Sequence, residues 1–483
     1  MIVCLIIPPS PFLLDERVFM PLGILKVAAA LEEAGHKVEM LDLSGYSNYE
    51  DIVGHAARRT GALHFGITAT TPQFPAAVRI ADAIREARPE AMIILGGPHA
   101  TLTAAARKRE KKLGRATRAY QKILDKFDRV VAGDGEAAVF EALRYSGPQV
   151  IDADGRHSAL FLDDAKLDAS PWPARHLIDV PAYRYTIDGT PALSLIAQLG
   201  CPFSCGFCAG RHSPMLRHIR MRSADNIVNE MRHLRACYGT RGFMFYDDEL
   251  NVNRGLVDLM NKISAVSDDW RLRGFIKAEL FTQEQAFAMY RAGFRWILVG
   301  FESGSPRILD NIRKRATQED NSRCMAIARR YGLKVKALMS LGHPGESDQT
   351  VAETRAWLLD EQPDDFDVTV ITPYPGSPYY DDAVESGPGT FTYTCKNGDA
   401  LHQRELDYSA TADYYKGNPD DGYVSHVSTD SLCADDIVRH RDELERSVRA
   451  VLRIPFNPGA AAVSYEHSMG QTSFPSRLLK VSG

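Results

Sequence analysis

Residues 193–210 read LSLIAQLGCPFSCGFCAG, and this stretch decides the fold of the chain. An apolar strand leads directly into Cys201, Cys205 and Cys208, which stand at a C-x3-C-x2-C spacing. Three thiolates can each close one iron of a cubane iron–sulfur cluster and leave the fourth iron open for another ligand. A structural zinc site, the alternative, uses four ligands in two pairs, and His212 is the one nearby candidate for a fourth. The spacing therefore predicts an iron–sulfur cluster.

Strands and helices alternate from this stretch onward. We predict strands at 193–198, 242–246, 274–278, 296–301, 335–341 and 366–371. Helices are expected near 223–237, 254–265, 282–292, 317–331, 348–360 and 377–385. Parallel βα units in series indicate a partial (β/α)6 barrel over residues 191–386, with its chemistry at the carboxyl ends of the strands.

The chain before this barrel shows a second alternation. Strand-like runs at 3–7, 37–43, 63–69, 92–95 and 129–132 are separated by segments of helical periodicity. They predict a doubly wound, Rossmann-like domain over residues 1–145, in which ligands bind beyond the carboxyl ends of the strands. A segment rich in Pro, Asp and Gly, 146–190, is interpreted as a linker. The basic segment within 101–126 is interpreted as a solvated helix. Residues 387–483 form a C-terminal region expected to cover the substrate, with one amphipathic helix at 434–452.

Composition excludes several classes of function. The net charge of -5 gives no general attraction to nucleic acid, and no apolar run reaches the roughly 20 residues of a membrane span. The first residues lack a basic leader and a cleavage site, so they are interpreted as a strand and not as an export signal. Eight cysteines, five of them scattered, indicate a reducing compartment with one specialised site. We therefore expect a cytoplasmic protein.

The cysteine loop, with the aromatic Phe207 before its last cysteine, resembles the cluster motif of the radical S-adenosylmethionine superfamily. The resemblance implies a [4Fe-4S] cluster whose open iron binds the amino and carboxylate groups of S-adenosylmethionine. One-electron reduction then yields a 5′-deoxyadenosyl radical, and the electron comes from a partner of the flavodoxin or ferredoxin type. Because that radical abstracts hydrogen from any nearby C–H bond, the site has to be dry and closed.

Other strand ends resemble the same superfamily. Asp247 and Asp248 stand where the family places a segment that holds the ammonium of S-adenosylmethionine, although Asp248 could also cap the next helix. Glu302 lies in a segment similar to the one that contacts the ribose. The resemblance implies these contacts with S-adenosylmethionine: Phe207, Asp247, Asp248, Glu302, Gly342 and Pro344.

The first domain resembles the cobalamin-binding-domain subfamily of these enzymes. The similar segments include PLGILKVAAALEEAGHKVEMLDL at 21–43, ILGGPHAT at 94–101 and VVAGDGE at 130–136. No Asp-x-His-x-x-Gly segment is present, so no motif supplies a histidine ligand to cobalt. Cobalamin is implied by the resemblance alone. Its cleft would be formed by Pro8, Pro9, Thr70, Gly96, Gly97, Gly133, Gly135 and Glu136.

Three functions remain open. The first is cobalamin-dependent methylation of an unactivated carbon in a small molecule such as a natural product. The second is radical dehydration of an aminoglycoside-like sugar in antibiotic biosynthesis, with a first domain that need not bind cobalamin. A non-catalytic cobalamin or cluster sensor is the third, and the complete set of motif residues disfavours it.

Substrate contacts are predicted at three residues, Glu249, Glu279 and Tyr374, and no catalytic residue is assigned. A cationic sugar would suit the carboxylates expected near the strand ends, because opposite charges favour binding. These carboxylates are Glu249, Glu279, Asp364, Asp365 and Asp367.

Overall fold

Two sheets form the cores of two domains; the first is all parallel, and the second is parallel except for its edge strand. The structure, a computed structural model, describes residues 1–418, 420–455 and 479–480. A small antiparallel sheet and a long helix follow the second domain. The α/β prediction, with a doubly wound domain before a partial barrel, is confirmed.

The first domain is a six-stranded, all-parallel sheet in the order β2-β1-β3-β4-β5-β6. Its strands are β1 Ile2–Ile7, β2 Lys37–Asp42, β3 His64–Thr68, β4 Met92–Gly96, β5 Arg129–Gly133 and β6 Val150–Ala153. Its helices are α1 Leu22–Glu33, α2 Tyr49–Arg59, α3 Phe74–Ala87, α4 Pro98–Arg109, α5 Arg115–Lys126 and α6 Gly135–Ala142.

The predicted linker at 146–190 begins too early. Strand β6 lies inside it and pairs in parallel with β5, so the first sheet extends to residue 153. The segment also contains α7 Asp164–Ala169 and β7 Thr186–Ile187, which pairs with the first barrel strand. Strand β6 is a four-residue edge strand with an exposed Asp152, so it carries too little apolar periodicity to be recognised from sequence.

The second domain is a partial barrel with strand order β15-β14-β13-β12-β11-β8-β7. Its strands, with the small β9–β10 ladder, are β8 Thr190–Leu195, β9 Gln198–Leu199, β10 Arg220–Met221, β11 Gly242–Phe245, β12 Arg271–Ile276, β13 Phe294–Glu302, β14 Lys334–Leu341 and β15 Asp365–Val370. Its helices are α8 Pro214–Arg217, α9 Ala224–Tyr238, α10 Leu256–Val266, α11 Gln283–Ala292, α12 Pro306–Asn311, α13 Gln318–Arg330 and α14 Asp348–Glu361.

Strand periodicity separates two apolar clusters in the barrel. Along β13, Val299 and Phe301 pack outward, and the Phe301 ring lies 4.9 Å from Trp357 on α14. Leu298 faces the other side and packs in a separate cluster with Met244. Successive strand residues point to opposite faces of a sheet, which explains the division. The inner cluster lines the interior of the barrel, and the outer cluster packs against the surrounding helices.

The C-terminal region contains structure that the sequence did not predict. The helix expected at 377–385 is only α15 Pro378–Asp381, because the chain turns into an antiparallel sheet. That sheet consists of β16 Val384–Gly387, β17 Thr390–Thr394, β18 Ala400–Arg404 and β19 Val427–Thr429. Helix α16, Ala434–Leu452, confirms the predicted helix. Part of the region assigned to 387–483 lies outside the described residues.

The basic helices of the first domain hold this C-terminal region. Ion pairs join Arg118 to Glu405 at 2.5 Å and Lys122 to Asp407 at 2.5 Å. Arg115, only 5% exposed, lies over the Tyr380 ring at 3.7 Å. The prediction of a solvated helix is therefore wrong for this face of α5, because its cations contact acidic and aromatic side chains that are distant in sequence.

None of the helices within the described residues is long and apolar enough to cross a membrane.

Candidate active site between the two sheets

The three cysteines lie on one loop, and hydrogen bonds from neighbouring segments hold its backbone in place. The Cys201 N–H donates to the Leu216 carbonyl at 3.0 Å, and the Gly206 N–H donates to the Ile312 carbonyl at 2.8 Å. The guanidinium of Arg211 donates to the Cys201 carbonyl at 2.6 Å and to a second carbonyl of the loop. The loop therefore has a fixed path directly after β9, at the carboxyl end of the first barrel strand.

The thiols of this loop lie among cations. Burial raises the pKa of Cys201 and of Cys208 to about 11, and the Arg211 guanidinium acts against that rise. Burial also raises the pKa of the Cys205 thiol, and the Lys314 ammonium acts against it. Iron binds the thiolate, so these cations favour the form that a cluster needs.

The donor set of the loop fits a cubane cluster. All three cysteines are free. Among the residues described, no three His, Cys, Asp or Glu side chains converge on a point that could hold one metal ion. Cubane ligands bind three different irons, so they need not converge as zinc ligands do.

A buried group of charges lies at the carboxyl ends of β12 and β13. Lys314 pairs with Glu302 at 2.7 Å, and the Ser340 hydroxyl donates to the second Glu302 oxygen at 2.8 Å. Lys277 pairs with Glu279 and donates to the Lys314 carbonyl at 3.0 Å. Burial would raise the pKa of Glu302, but the Lys314 ammonium holds it below its usual value. We call these five residues the lysine–glutamate cluster.

Left-handed backbone conformations set the side-chain directions of Glu302 and Lys314, the two central residues of this cluster. Glu302 has φ +66° and follows a register shift after Gly300, so a bulge redirects its side chain. Arg313 and Arg315, on either side of Lys314, have φ +56° and +65°. Each left-handed non-glycine residue costs about 1 kcal/mol. The result is that Lys314 is buried while both flanking arginines are exposed.

A chain of hydrogen bonds runs from Glu302 toward the cysteine loop. Ser340 gives its proton to Glu302, so its oxygen accepts from His343 Nε2–H at 2.8 Å. His343 Nδ1 is then the acceptor for the Tyr379 hydroxyl at 3.4 Å. Burial lowers the pKa of His343 to about 4, so the ring is neutral at pH 7. The edge of the His343 ring also contacts Phe207, with the ring centroids 5.3 Å apart.

A cavity of about 390 Å³ lies between the sheet edge of the first domain and the barrel. Five of the residues predicted for a cobalamin cleft line it: Gly96, Gly97, Gly133, Gly135 and Glu136. Pro8, Pro9 and Thr70 do not line it; Pro9 borders a separate, smaller cavity. Lining residues outside the predicted cobalamin cleft include Lys26, Thr68, Thr101, Asp134, Gln198 and Tyr246.

Glycines keep this cavity open in two ways. Gly97 has φ +89°, and a Cβ there would lie 2.6 Å from the Thr68 hydroxyl. Gly133 has φ +107°, and a Cβ would lie 2.4 Å from the backbone of Ala153. At Gly23 and Gly96, in contrast, a Cβ would meet nothing within 4 Å. The close approaches hold the wall in place, and the open positions provide room for a ligand.

One side-chain oxygen of the cavity wall, that of Gln198, lacks a hydrogen-bond partner among the described residues. Gln198 donates its side-chain nitrogen to the Glu249 carbonyl at 2.7 Å, but its side-chain oxygen has no hydrogen bond among the described residues. Gln198 is only 1% exposed. Together with the open glycines, this atom fits a wall built for a ligand with donor groups such as cobalamin.

The two adjacent aspartates have different environments. Asp247 accepts from the backbone N–H groups of Ala197, at 3.0 Å, and Gln198. Burial raises the pKa of Asp247 to about 7, against these hydrogen bonds. Asp248 lines the cavity instead, and burial raises its pKa against the Arg211 guanidinium and the Gly200 N–H. Asp247 thus holds the strand end that leads into the cysteine loop, and Asp248 faces the space where a ligand would lie.

The remaining predicted contacts are scattered around the site. Gly342 lies against the side chains of Val427 and Ile371, and the Pro344 carbonyl accepts from Asn311 at 2.8 Å. The Tyr374 hydroxyl donates to the backbone of the C-terminal region.

The carboxylates predicted near the strand ends divide into two groups. Glu249 and Glu279 follow the carboxyl ends of β11 and β12, as expected. Asp364, Asp365 and Asp367 lie at the opposite, amino end of β15, where Asp365 and Asp367 pair with Lys336. The expectation that they approach the site is therefore wrong, because the strand begins at Asp365.

Sequence reasoning missed both lysines of the lysine–glutamate cluster. Lys314 stands in the run Arg313-Lys314-Arg315, which is typical of an exposed segment. Lys277 directly follows β12, and a charged residue at the carboxyl end of a barrel strand was an available signal.

The buried carboxyl of Glu346, which follows β14, is expected to make the stability of the fold depend on pH. It is 0% exposed, accepts from the Thr350 hydroxyl at 2.6 Å, and burial raises its pKa from 4.5 to about 7. Between these values the folded state keeps a proton that the unfolded state loses, so stability falls as pH rises, by at most about 1.4 kcal/mol per pH unit. We expect Glu346→Gln to remove this contribution. Urea denaturation between pH 5 and 7 measures it, with the exposed Glu284→Gln as control. Parallel curves for wild type and Glu346→Gln would contradict the assignment.

Two segments of the chain match known protein families. Residues 195–358 match the radical SAM superfamily, and residues 16–124 match the B12 binding domain. The chain contains a radical SAM domain with a B12-binding domain in front of it. These matches indicate an enzyme, and they confirm the predicted resemblance to radical SAM proteins with a cobalamin-binding domain. The superfamily implies a [4Fe-4S] cluster and S-adenosylmethionine as cofactors.

Several relatives of this radical SAM protein are named methyltransferases. An uncharacterised methyltransferase of Pyrococcus horikoshii is 26% identical over 79% of this chain and 83% of its own length. Hopanoid C-3 methylase of Methylococcus capsulatus is 24% identical over 76% of this chain and 70% of its own. Among solved structures, the methyltransferase TsrM of Kitasatospora setae, with cobalamin and a [4Fe-4S] cluster bound, has a TM-score of 0.62 at 18% identity. That match covers 82% of this chain and 81% of TsrM, and it shows a shared fold.

Proposed function

We propose that this radical SAM protein methylates a carbon atom of a small molecule in a reaction that needs both S-adenosylmethionine and cobalamin. The observation that carries the proposal is the shared cavity. Its walls come from the strand-end glycines of the B12-binding domain and from Tyr246 and Asp248 at the barrel mouth. A reaction that uses a cofactor of each domain requires such a common space. The names of the methyltransferase relatives support the same reaction.

When bound, these cofactors supply a 5′-deoxyadenosyl radical and a transferable methyl group. We assign the cluster to Cys201, Cys205 and Cys208. We assign the ammonium of S-adenosylmethionine to Asp248, because Asp247 already accepts two backbone N–H groups. A carboxylate facing an ammonium forms a strong, charge-assisted hydrogen bond.

Glu302 is suited to accept from a ribose hydroxyl. Both of its oxygens are held, one by Lys314 and one by Ser340, so the carboxylate stays ionised and fixed in orientation. Each oxygen retains a free lone pair. Phe207 would lie beside the cluster and shield it, since its ring packs on Ile308 and Ile312.

Aromatic side chains surround the barrel mouth and would exclude water from it once the cofactors are bound. The Phe19 ring lies 5.0 Å from that of Tyr246, and the Phe12 ring lies 4.6 Å from that of Tyr414. These rings come from the β1–α1 loop, the end of β11 and the C-terminal region. A radical that abstracts hydrogen indiscriminately needs such a dry enclosure.

Nucleoside products distinguish methylation from dehydration. The cluster is reconstituted anaerobically, S-adenosylmethionine, cobalamin and a reductant are added, and candidate small molecules are screened. Methylation produces both S-adenosylhomocysteine and 5′-deoxyadenosine, whereas dehydration of a sugar produces 5′-deoxyadenosine alone. The second outcome would overturn the proposal. Two of the carboxylates predicted to attract a cationic sugar, Asp365 and Asp367, instead pair with Lys336 at the far end of the barrel, which disfavours such a substrate.

Gly23→Leu tests the cofactor cavity directly. Gly23 lines the cavity and a Cβ there meets nothing, so leucine fills ligand space without strain. Leucine also favours helix α1 by up to about 1 kcal/mol over glycine. We expect a stable protein that no longer retains added hydroxocobalamin in gel filtration, measured by absorbance. Gly155→Leu is the matched control, because Gly155 is equally open but lies outside the cavity. Equal cobalamin retention in both variants would contradict this assignment.

A further inference from the structure

We propose that the exposed tip of the cysteine loop, with the three arginines around it, is the docking surface for a small, acidic one-electron carrier protein. We call this surface, formed by Ser204, Arg217, Arg313 and Arg315, the arginine surface. The proposal rests on the cluster assignment in the proposed function but not on methylation.

The loop tip brings one of the assigned cluster ligands, Cys205, close to the protein surface. Ser204 is exposed, whereas the next residue, Cys205, is only 9% exposed. A cluster iron bound by Cys205 would therefore lie one residue from the surface of the protein. Electron transfer between proteins needs such a short path, so a donor is expected to bind over this tip.

Arginines stand on both sides of the tip. The Arg217 guanidinium donates to the Pro202 carbonyl at 3.0 Å and to the Ser204 hydroxyl at 3.2 Å. On the other side, the Gly206 N–H donates to the Ile312 carbonyl at 2.8 Å, which places Arg313 next to the loop. Arg315 follows two residues later and is also exposed.

These charges are available to a partner. Arg217 bonds to neutral oxygens, and Arg313 lies 5.9 Å from the ring centre of Tyr393. No carboxylate among the described residues forms an ion pair with Arg217, Arg313 or Arg315, although nearby Arg307 is neutralised by Asp399. The whole chain has a net charge of -5, so a local positive surface is a departure from its average.

Strained backbone maintains this arrangement. The positive φ of Arg313 and of Arg315 points Lys314 inward and leaves both arginines outside. Strained residues concentrate at functional positions, where the surrounding structure holds them. Burial of Lys314 does not by itself explain why both of its exposed neighbours are arginines.

The partner that fits this surface is a flavodoxin or ferredoxin with acidic residues around its redox centre. Opposite charges steer such a carrier to the loop tip and orient it. One electron leaves the reduced carrier, which is oxidised by one electron, and the cluster is reduced by one. No atom or proton is transferred. Nucleic acid would also be attracted to arginines, but it gives no reason for their position at the cysteine loop.

The test compares two reductants on the reconstituted full chain. In the Arg313→Glu/Arg315→Glu variant, we expect reduction of the cluster by reduced flavodoxin to slow at least about tenfold. Reduction by photoreduced deazaflavin, a small molecule without an acidic surface, should be unchanged. Arg232→Glu is the control, because Arg232 is an exposed arginine on the outside of α9. Equal flavodoxin rates in the double variant and the control would overturn the proposal.

Binding to cluster-free protein provides a second measurement. Titration with oxidised flavodoxin should show weaker binding for the double variant, with a smaller dependence on salt. This measurement does not need the cluster or any turnover, so it separates failure of the docking surface from failure of the proposed function. Preferential binding of RNA, with no binding of flavodoxin, would also overturn the proposal.

Discussion

Cys205→Ala abolishes the broad brown absorbance of the reconstituted protein and all formation of 5′-deoxyadenosine: this is the largest effect that we expect. Cys205 is buried in the middle of a loop whose backbone is clamped at Cys201 and Gly206. The variant should therefore fold while one iron loses its ligand. A cubane bound by two thiolates is not retained, since each protein-bound iron needs its own thiolate.

Two other cysteines serve as controls for this substitution. Cys237 is exposed on α9, and Cys395 is half-buried next to α12. Alanine at either position should leave iron, sulfide and absorbance at the wild-type level. A full complement of iron in Cys205→Ala would contradict the ligand assignment. Loss of iron in Cys395→Ala would identify Cys395 as a further cluster ligand.

Lys314→Met should be the most destabilising single change in the site. Lys314 is 4% exposed, and its removal leaves Glu302 buried without its cation. Breaking one side of a buried ion pair costs about 3–5 kcal/mol. Urea denaturation of the cluster-free protein at pH 7, followed by circular dichroism, measures this loss.

The pH dependence of this loss has a defined sign. In the wild type, Lys314 holds the pKa of Glu302 below its usual value, so the pair stabilises the fold above that value and less in acid. In Lys314→Met the Glu302 carboxyl takes up a proton. The difference in free energy of unfolding between this variant and the wild type should therefore shrink as pH falls.

A double variant and a surface variant complete the experiment. Lys314→Met/Glu302→Gln removes both charges and should recover part of the stability. Lys334→Met, at a half-exposed lysine that pairs with Asp188 at 3.3 Å, should cost less than about 1 kcal/mol. Equal losses in Lys314→Met and Lys334→Met would show that Glu302 does not depend on its lysine.

Strands and most helices could be predicted because their signals are local. The barrel strands and helix α16 follow apolar periodicity that is visible in the sequence. The misses were elements whose sequence is short and polar. Strand β6 and the antiparallel sheet β16–β19 form because neighbouring strands provide hydrogen-bond partners, which no local pattern indicates.

The cysteine loop, its position after a barrel strand and the succession of two domains were all visible in the amino-acid sequence. The cysteine spacing lies within eight residues, and the strands and helices follow local apolar periodicity. The roles of the other charged residues became visible only from their contacts in the folded chain. The fold placed Asp247 on the backbone and Asp248 in the cavity, and it buried Lys314 between two exposed arginines. Burial and pairing depend on segments far apart in the chain, and these contacts decide whether a charge supports the fold, holds a cofactor or meets a partner.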